Sequence, residues 1–200
     1  MRIIAGLHRG RRLIAPEGDR TRPTADRVRQ ALFDMLWHAP WAGRERIEGA
    51  RVLDAFAGTG ALGLEALSRG AAQANFIEND RAALAALRAN IAGCKEEARC
   101  NALAADALKP PRAQGPCDLV FLDPPYREGV MDAALAALAA AGWIAAGALV
   151  CAEYATGAPA APPPAFTPLA ERAHGAAHLL ILRWEPPGGP PGGPPGDAPG

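Results

Sequence analysis

No apolar run in this 200-residue chain reaches the length of a bilayer span. Its first residues, Met1-Arg2-Ile3-Ile4-Ala5-Gly6, lead into basic side chains instead of the long apolar segment of a secretory signal. A soluble, cytoplasmic protein is expected. Cysteine is scarce. Cys94, Cys100, Cys117 and Cys151 form no CxxC pair, and no histidines accompany them at zinc spacing. That argues against a metal centre and for reduced, structural thiols. Net charge is also missing, at +0. What the chain does have is apolar mass: 50% of its residues are hydrophobic, enough for a substantial core in one domain.

The zero net charge hides an uneven distribution. Residues 1–46 carry ten arginines against five Asp or Glu, while the remainder carries eleven basic and sixteen acidic residues. A basic arm on an acidic body points to a polyanion contact located in that arm.

Within the arm, Arg2-Ile3-Ile4-Ala5 and Arg12-Leu13-Ile14-Ala15 are two candidate short strands around His8-Arg9-Gly10-Arg11. Arg22-Pro23 closes it, because the residue before proline avoids the helical region. Thr24 is placed to cap a helix starting at Ala25-Asp26. Val28, Leu32, Met35 and Leu36 lie on one face of that helix, and Pro40 to Gly49 reads as a linker.

From Arg51 the pattern alternates. Val52 to Phe56, Ala74 to Ile77, Asn101 to Ala104, Asp118 to Leu122 and Ala148 to Glu153 read as strands. Leu62 to Ser68, Arg81 to Ile91 and Met131 to Ala140 read as the helices between them. This alternation predicts a mostly parallel sheet with helices on both faces. Leu169 to Arg172 and His178 to Trp184 flank Gly175 as an antiparallel hairpin at the sheet edge. Residues 157–168 are rich in Pro and Ala without periodicity. Residues 186–200 repeat Pro-Pro-Gly-Gly with almost nothing to bury and are expected to be disordered.

Two segments carry chemistry. Asp54-Ala55-Phe56-Ala57-Gly58-Thr59-Gly60-Ala61-Leu62-Gly63 joins a strand to a helix, and Glu78 follows Gly58 by 20 residues. The spacing matches a dinucleotide fingerprint, although any tight strand-to-helix turn needs glycine. Glu78 can accept bonds from ribose hydroxyls of a dinucleotide or an adenosyl ligand. Asp54 would repel a pyrophosphate but can receive an ammonium, and Asp106 either accepts an adenine amine or caps the Ala107-Leu108 segment. An adenosine joined to a cationic amino acid, S-adenosylmethionine, suits this layout better than NAD.

The second segment is Asp123-Pro124-Pro125-Tyr126, at the carboxyl end of the apolar strand Leu119 to Leu122. Ligands bind at such strand ends in open α/β sheets. Two prolines fix φ and remove two N–H donors, so the turn can present carbonyls. Asp123 and the Pro124 carbonyl can accept the two hydrogens of an exocyclic amine. Tyr126 offers a stacking face worth about 1–3 kcal/mol per base. The alternative is an ordinary Asp-Pro-Pro turn with a packed tyrosine.

Together these segments resemble the 16S ribosomal RNA guanine-N2 methyltransferases of the RsmD type. The resemblance rests on residues 1–6, Arg9-Gly10-Arg11, Arg22 to Arg29, Ala31-Leu32-Phe33, Leu53 to Ala71 and Asp118 to Tyr126, and covers about residues 1–184. It implies a Rossmann-like class I fold with a seven-stranded, mostly parallel sheet and an antiparallel C-terminal hairpin. It implies S-adenosyl-L-methionine as cofactor and 16S rRNA in the small ribosomal subunit as partner, and a monomer is expected.

The expected cofactor set is Thr24, Asp54, Phe56, Ala57, Gly58, Thr59, Gly60, Glu78, Asn79, Asp106 and Ala107. The expected catalytic set is Asp123, Pro124, Pro125 and Tyr126, and the expected RNA contacts are Arg2, His8, Arg9, Arg11, Arg12 and Arg22. The expected division is an arm and helix over 1–46, a methyltransferase domain over 47–185 and a tail over 186–200. Rival readings are an amino-methyltransferase acting on DNA adenine or another RNA, an NAD-linked oxidoreductase, and a non-catalytic RNA-binding factor.

Overall fold

The computed structural model describes residues 1–16, 23–125, 129–155, 162–174 and 177–187. Helix α1 (Pro23–His38) is followed by β1 (Arg51–Ala55), α2 (Ala61–Ser68), β2 (Gln73–Glu78), α3 (Arg81–Cys94) and β3 (Cys100–Ala104). Then come β4 (Cys117–Leu122), α4 (Val130–Ala140), β5 (Ile144–Ala155), β6 (Phe166–His174) and β7 (Ala177–Trp184). The seven strands form one sheet in the order β3-β2-β1-β4-β5-β7-β6. The first five run parallel, and β7 pairs antiparallel with both β5 and β6.

The central strand β4 is apolar from Leu119 to Leu122 because both its faces are covered. Leu119 and Phe121 of β4 face a core shared with α1, α2 and α3. Val120 and Leu122 face the opposite core, under α4. Successive side chains of a strand point to opposite faces, so a single apolar run serves two cores. Val52 and Leu53 of β1 divide in the same way. Phe33 of α1 meets Phe121 with ring centroids 5.6 Å apart, which seats α1 directly over the central strand.

Several boundaries differ from the sequence expectation. Helix α1 begins at Pro23, so Thr24 is its second residue and not its cap. Proline suits that first position: its φ is already helical, and the N–H it lacks would have been unpaired. The arm has one antiparallel bridge, Arg2 to Arg12, in place of two strands. The chain turns sharply at Gly6 and Gly10, both at positive φ, which leaves length for little more.

The segment read as a linker contains a 3-10 turn, Arg44–Arg46, and Ile47 beyond it is fully buried. Strand β6 starts at Phe166, inside the Pro- and Ala-rich stretch read as lacking periodicity. The tail expected to be disordered lies largely outside the described residues. No helix among the described residues is long and apolar enough to cross a membrane. All four cysteines are free thiols. Burial pushes Cys100 up to about 12 and Cys117 up to about 11, so both stay protonated and unreactive.

Candidate functional site

The strand order changes direction between β1 and β4: the chain leaves β1 toward β2 on one side and later returns to β4 on the other. Crevices at such switch points, beyond the carboxyl ends of parallel strands, are where α/β sheets bind ligands. The register aligns those ends. Ala55 is paired with Ile77 and with Leu122, and Glu78 with Ala104. Asp54, Glu78, Asp106 and Asp123 therefore emerge along one rim.

The loop after β1 is built for close approach. Phe56 holds φ 63, a left-handed conformation uncommon in a non-glycine residue. The N–H of Ala57 donates to the Ile77 carbonyl, and that of Gly60 to the Ala57 carbonyl at 2.7 Å. Gly58 has φ +54, and a Cβ added there would meet nothing within 4 Å. Open space thus lies against bare backbone at the tip of the loop. Gly63 has a different use: its missing Cβ would lie 2.4 Å from the Phe76 ring, so it lets α2 pack on β2.

Asp54 is 1% exposed, and its Oδ2 accepts from the Gly63 N–H at 2.9 Å. Burial, only partly offset by that bond, pushes its carboxyl up to about 8, and the nearby Asp123 and Glu78 push in the same direction. Glu78 Oε2 accepts from the Gly58 N–H and Oε1 from the Asp80 N–H, each at 2.7 Å. Glu78 therefore fixes the loop while keeping lone pairs for a ligand. Asn79 is exposed beside it. Asp106 Oδ1 accepts from the Leu108 N–H at 2.9 Å, so it closes a turn, not a helix, and its second oxygen is left for other partners. Ala107 is buried behind that turn.

Asp123 follows β4 at the mouth of the crevice and is surface-accessible, whereas Pro124 is buried. Dense protein around the carboxyl, and then Glu153, push Asp123 up to about 7. Glu153 was not expected in the site. The register pairs Leu122 with Ala152, so the next residues of β4 and β5, Asp123 and Glu153, end abreast. Its position at the end of an apolar strand adjoining β4 was the available signal. Tyr126, Arg22 and the side chain of Thr24 lie outside the described residues. No cluster of three His, Cys, Asp or Glu side chains among the described residues is arranged for a metal ion.

The basic arm docks beside the glycine loop through buried polar groups that sequence reading missed. Glu65, fully buried in α2, accepts from the N–H groups of Ile4 (2.7 Å) and Ala5 (3.0 Å) and from Arg69 Nε (2.7 Å). Arg29 Nη2 donates to the Arg2 carbonyl and to Asp26. Asn90 of α3 brackets Ile14 and also donates to the Thr59 carbonyl. A charged residue within the apolar run Ala61-Leu62-Gly63-Leu64-Glu65-Ala66-Leu67 was the one visible hint.

The side chains of Arg2, Arg9, Arg11 and Arg12 are exposed, together with Leu7 and Ile14. His8 differs: its Nε2 lies 2.6 Å from Glu96 Oε1. Burial opposes ionisation of Glu96, but Arg99 and His8 outweigh it and hold that carboxyl below its ordinary value. His8 thus anchors the arm. A groove of about 480 Å³ between the arm and α1 is lined by Arg2, Arg9, Arg27, Gln30 and Asp34, among others.

The docking predicts the effect of Gly6→Ala. A Cβ at Gly6 would lie 1.8 Å from the Ser68 carbonyl oxygen, at φ +77. The arm must lift from α2, at a cost of about 1–3 kcal/mol. Denaturant unfolding should register that loss, and a wild-type midpoint would show that the arm does not rest on α2.

The family described as Conserved hypothetical protein 95 matches residues 1–183 of the chain. A protein named ribosomal RNA small subunit methyltransferase D from Escherichia coli is 44% identical over 154 residues, 76% of this chain and 74% of its own length. Its namesake from Haemophilus influenzae is 38% identical over 179 residues, 88% of this chain and 89% of its own. A solved putative methyltransferase from Escherichia coli superposes with a TM-score of 0.79 at 38% identity, covering 92% of this chain and 98% of that one.

Proposed function

The chain belongs to the Conserved hypothetical protein 95 family, which includes the RsmD-type methyltransferases, and on that premise we propose that it methylates the exocyclic N2 amine of one guanine in 16S ribosomal RNA. The substrate is the small ribosomal subunit or its precursor in the cytoplasm, and the enzyme acts as a monomer. The observation that carries the reading is the pair of carboxyls, Asp54 and Asp123, held at the switch point with a diproline turn beside them.

S-adenosylmethionine is the methyl donor, and it supplies a methyl group on a sulfonium that leaves as a neutral thioether. The residues present suit it. Asp123 and Glu78 both raise the cost of ionising Asp54, and a ligand carrying an ammonium and a sulfonium offsets that repulsion. Gly58 leaves room for it at the loop tip. Asp54 receives the ammonium, Glu78 the ribose hydroxyls and Asp106 the adenine amine.

The guanine leaves its stack to enter the crevice, at a cost of a few kcal/mol that is smaller in a loop. Tyr126 stacks on it. Asp123 and the Pro124 carbonyl accept the two amine hydrogens. Held out of the ring plane, those hydrogens localise the nitrogen lone pair toward the methyl group; as the N–CH3 bond forms and the S–CH3 bond breaks, the nitrogen gives up one proton, to Asp123 or to water. Positioning of this kind accounts for most of the rate.

The decisive experiment offers labelled S-adenosylmethionine to small subunits lacking their own modifications, followed by nucleoside analysis. Label in N2-methylguanosine from 16S RNA is the expected result. Label appearing only in N6-methyladenine of added DNA would keep the amine chemistry and overturn the substrate.

Arg2, Arg9, Arg11 and Arg12 contact phosphates, which position RNA without reading its sequence. Four such contacts on single-stranded RNA give a slope of about −3 for log affinity against log salt. Replacing Arg9 and Arg11 by Gln should reduce that slope by about 1.4 in a titration series. An unchanged slope would remove the arm from the interface.

A further inference from the structure

We propose that Asn90 is a positioning residue that couples RNA engagement at the arm to cofactor binding at the glycine loop; this rests on the function proposed above. Asn90 is 3% exposed and uses its whole amide. Its Oδ1 accepts from the Ile14 N–H at 2.7 Å, and its Nδ2 donates to the Ile14 carbonyl at 2.9 Å. The same Nδ2 donates to the Thr59 carbonyl at 3.0 Å. One buried side chain therefore grips the arm on both polar groups of a single residue and the cofactor loop on a third.

The two segments so joined belong to different tasks. Ile14 lies just beyond Arg11 and Arg12, whose exposed guanidiniums are available to phosphate. Thr59 lies between Gly58, which borders the open space at the loop tip, and Gly60, which turns into α2. A second contact runs in parallel: Thr59 Oγ1 donates to Met1 Sδ at 3.3 Å, and Met1 accepts at its carbonyl from the Leu13 N–H. RNA that orders the arm thereby orders Ile14, and through Asn90 it holds the Thr59 carbonyl in the binding conformation of the loop. Whichever ligand arrives first meets that ordering cost, and the second binds to a loop already set. Linkage requires the effect to be reciprocal.

The experiment is a binding cycle. Affinity for S-adenosylhomocysteine is measured with and without unmodified small subunits, for the wild type, Asn90→Ala and Ile14→Pro. The proline variant removes the Ile14 N–H, and with it the bond to Asn90 Oδ1, at the further cost of a fixed φ at that residue, while Asn90 itself stays in place; it serves if the alanine variant folds poorly. In the wild type, RNA should tighten cofactor binding by about fivefold or more, the low end of ordinary coupling. In both variants that factor should fall to near one, while affinity for RNA in the absence of cofactor stays within about twofold.

A merely structural Asn90 would instead lower both affinities and preserve their ratio, and that result would overturn the proposal. So would a wild type with no coupling. A protein that methylates no RNA at all would overturn the function proposed above instead, and the methylation assay distinguishes the two failures.

Discussion

Asp123→Ala is expected to lower methyl transfer by at least about a hundredfold while leaving the dissociation constant for S-adenosylmethionine within about threefold. A positioned group that accepts a proton or hydrogen bond from the reacting amine contributes on the order of a hundredfold or more. Asp123 stands directly after β4, across the switch point from the glycine loop, and the residue is surface-accessible. Its loss should even help the cofactor slightly, because Asp123 is one of the charges that oppose ionisation of Asp54. Single-turnover rates and calorimetric titration separate the two effects. Should affinity and activity collapse together, Asp123 belongs to the cofactor and not to the base.

The same residue sets a pH dependence. Desolvation and Glu153 push its carboxyl up to about 7, above the ordinary 3.8. The ionised form is the stronger acceptor and the one able to take the amine proton, so the single-turnover rate at saturating cofactor should rise with pH through about 7 and then level off. A flat profile in Asp123→Asn, with the limb retained in the wild type, assigns the limb to this group. A limb that survives in the variant would assign it elsewhere, Asp54 being the other raised carboxyl on the rim.

Much of this was legible in the sequence because the chain punctuates itself. Apolar runs of strand length, glycine turns and alanine-leucine helices alternate at the spacing a parallel sheet requires, and the structure keeps that alternation. Asp54, Glu78 and Asp123 were legible for the same reason, since each ends a strand that the pattern defines. What was not legible depends on contacts across the fold. Glu153 joins Asp123 only because β5 pairs beside β4. Glu65 and Asn90 look like ordinary helix residues until the arm, 60 to 76 positions away, supplies their partners. His8 resembles a base or phosphate contact in sequence, and only the fold brings Glu96 within 2.6 Å of it. A local pattern encodes which residues form an element. It does not encode which buried polar group that element must satisfy.

Asp54→Asn is expected to make the free protein more stable at pH 8 and a far weaker binder of its cofactor. The sign follows from the carboxyl being pushed up to about 8 from 3.8. Between those values the folded state holds a proton that the unfolded chain has released, so wild-type stability falls as pH rises from about 4 toward 8. Each unit of difference corresponds to about 1.4 kcal/mol, and the total is at its largest by pH 8. Asparagine cannot ionise and can still accept from the Gly63 N–H, so the variant escapes this loss. A gain of about 1–3 kcal/mol at pH 8, shrinking toward pH 4, is the expected outcome of denaturant unfolding across pH. For a chain of this size that is roughly 2–12 °C in Tm. The same change removes the anion that meets the ammonium, a charge-assisted bond worth about 1.5–3 kcal/mol, or roughly 10- to 150-fold in affinity. Wild-type affinity should rise with pH up to about 8, because the ligand must find Asp54 ionised, and the variant should show no such rise. A variant that is both less stable at pH 8 and undiminished in affinity would mean that Asp54 is a packing residue. The opposite pair of changes would mean that the fold tolerates a costly buried carboxylate because the methyl donor requires it.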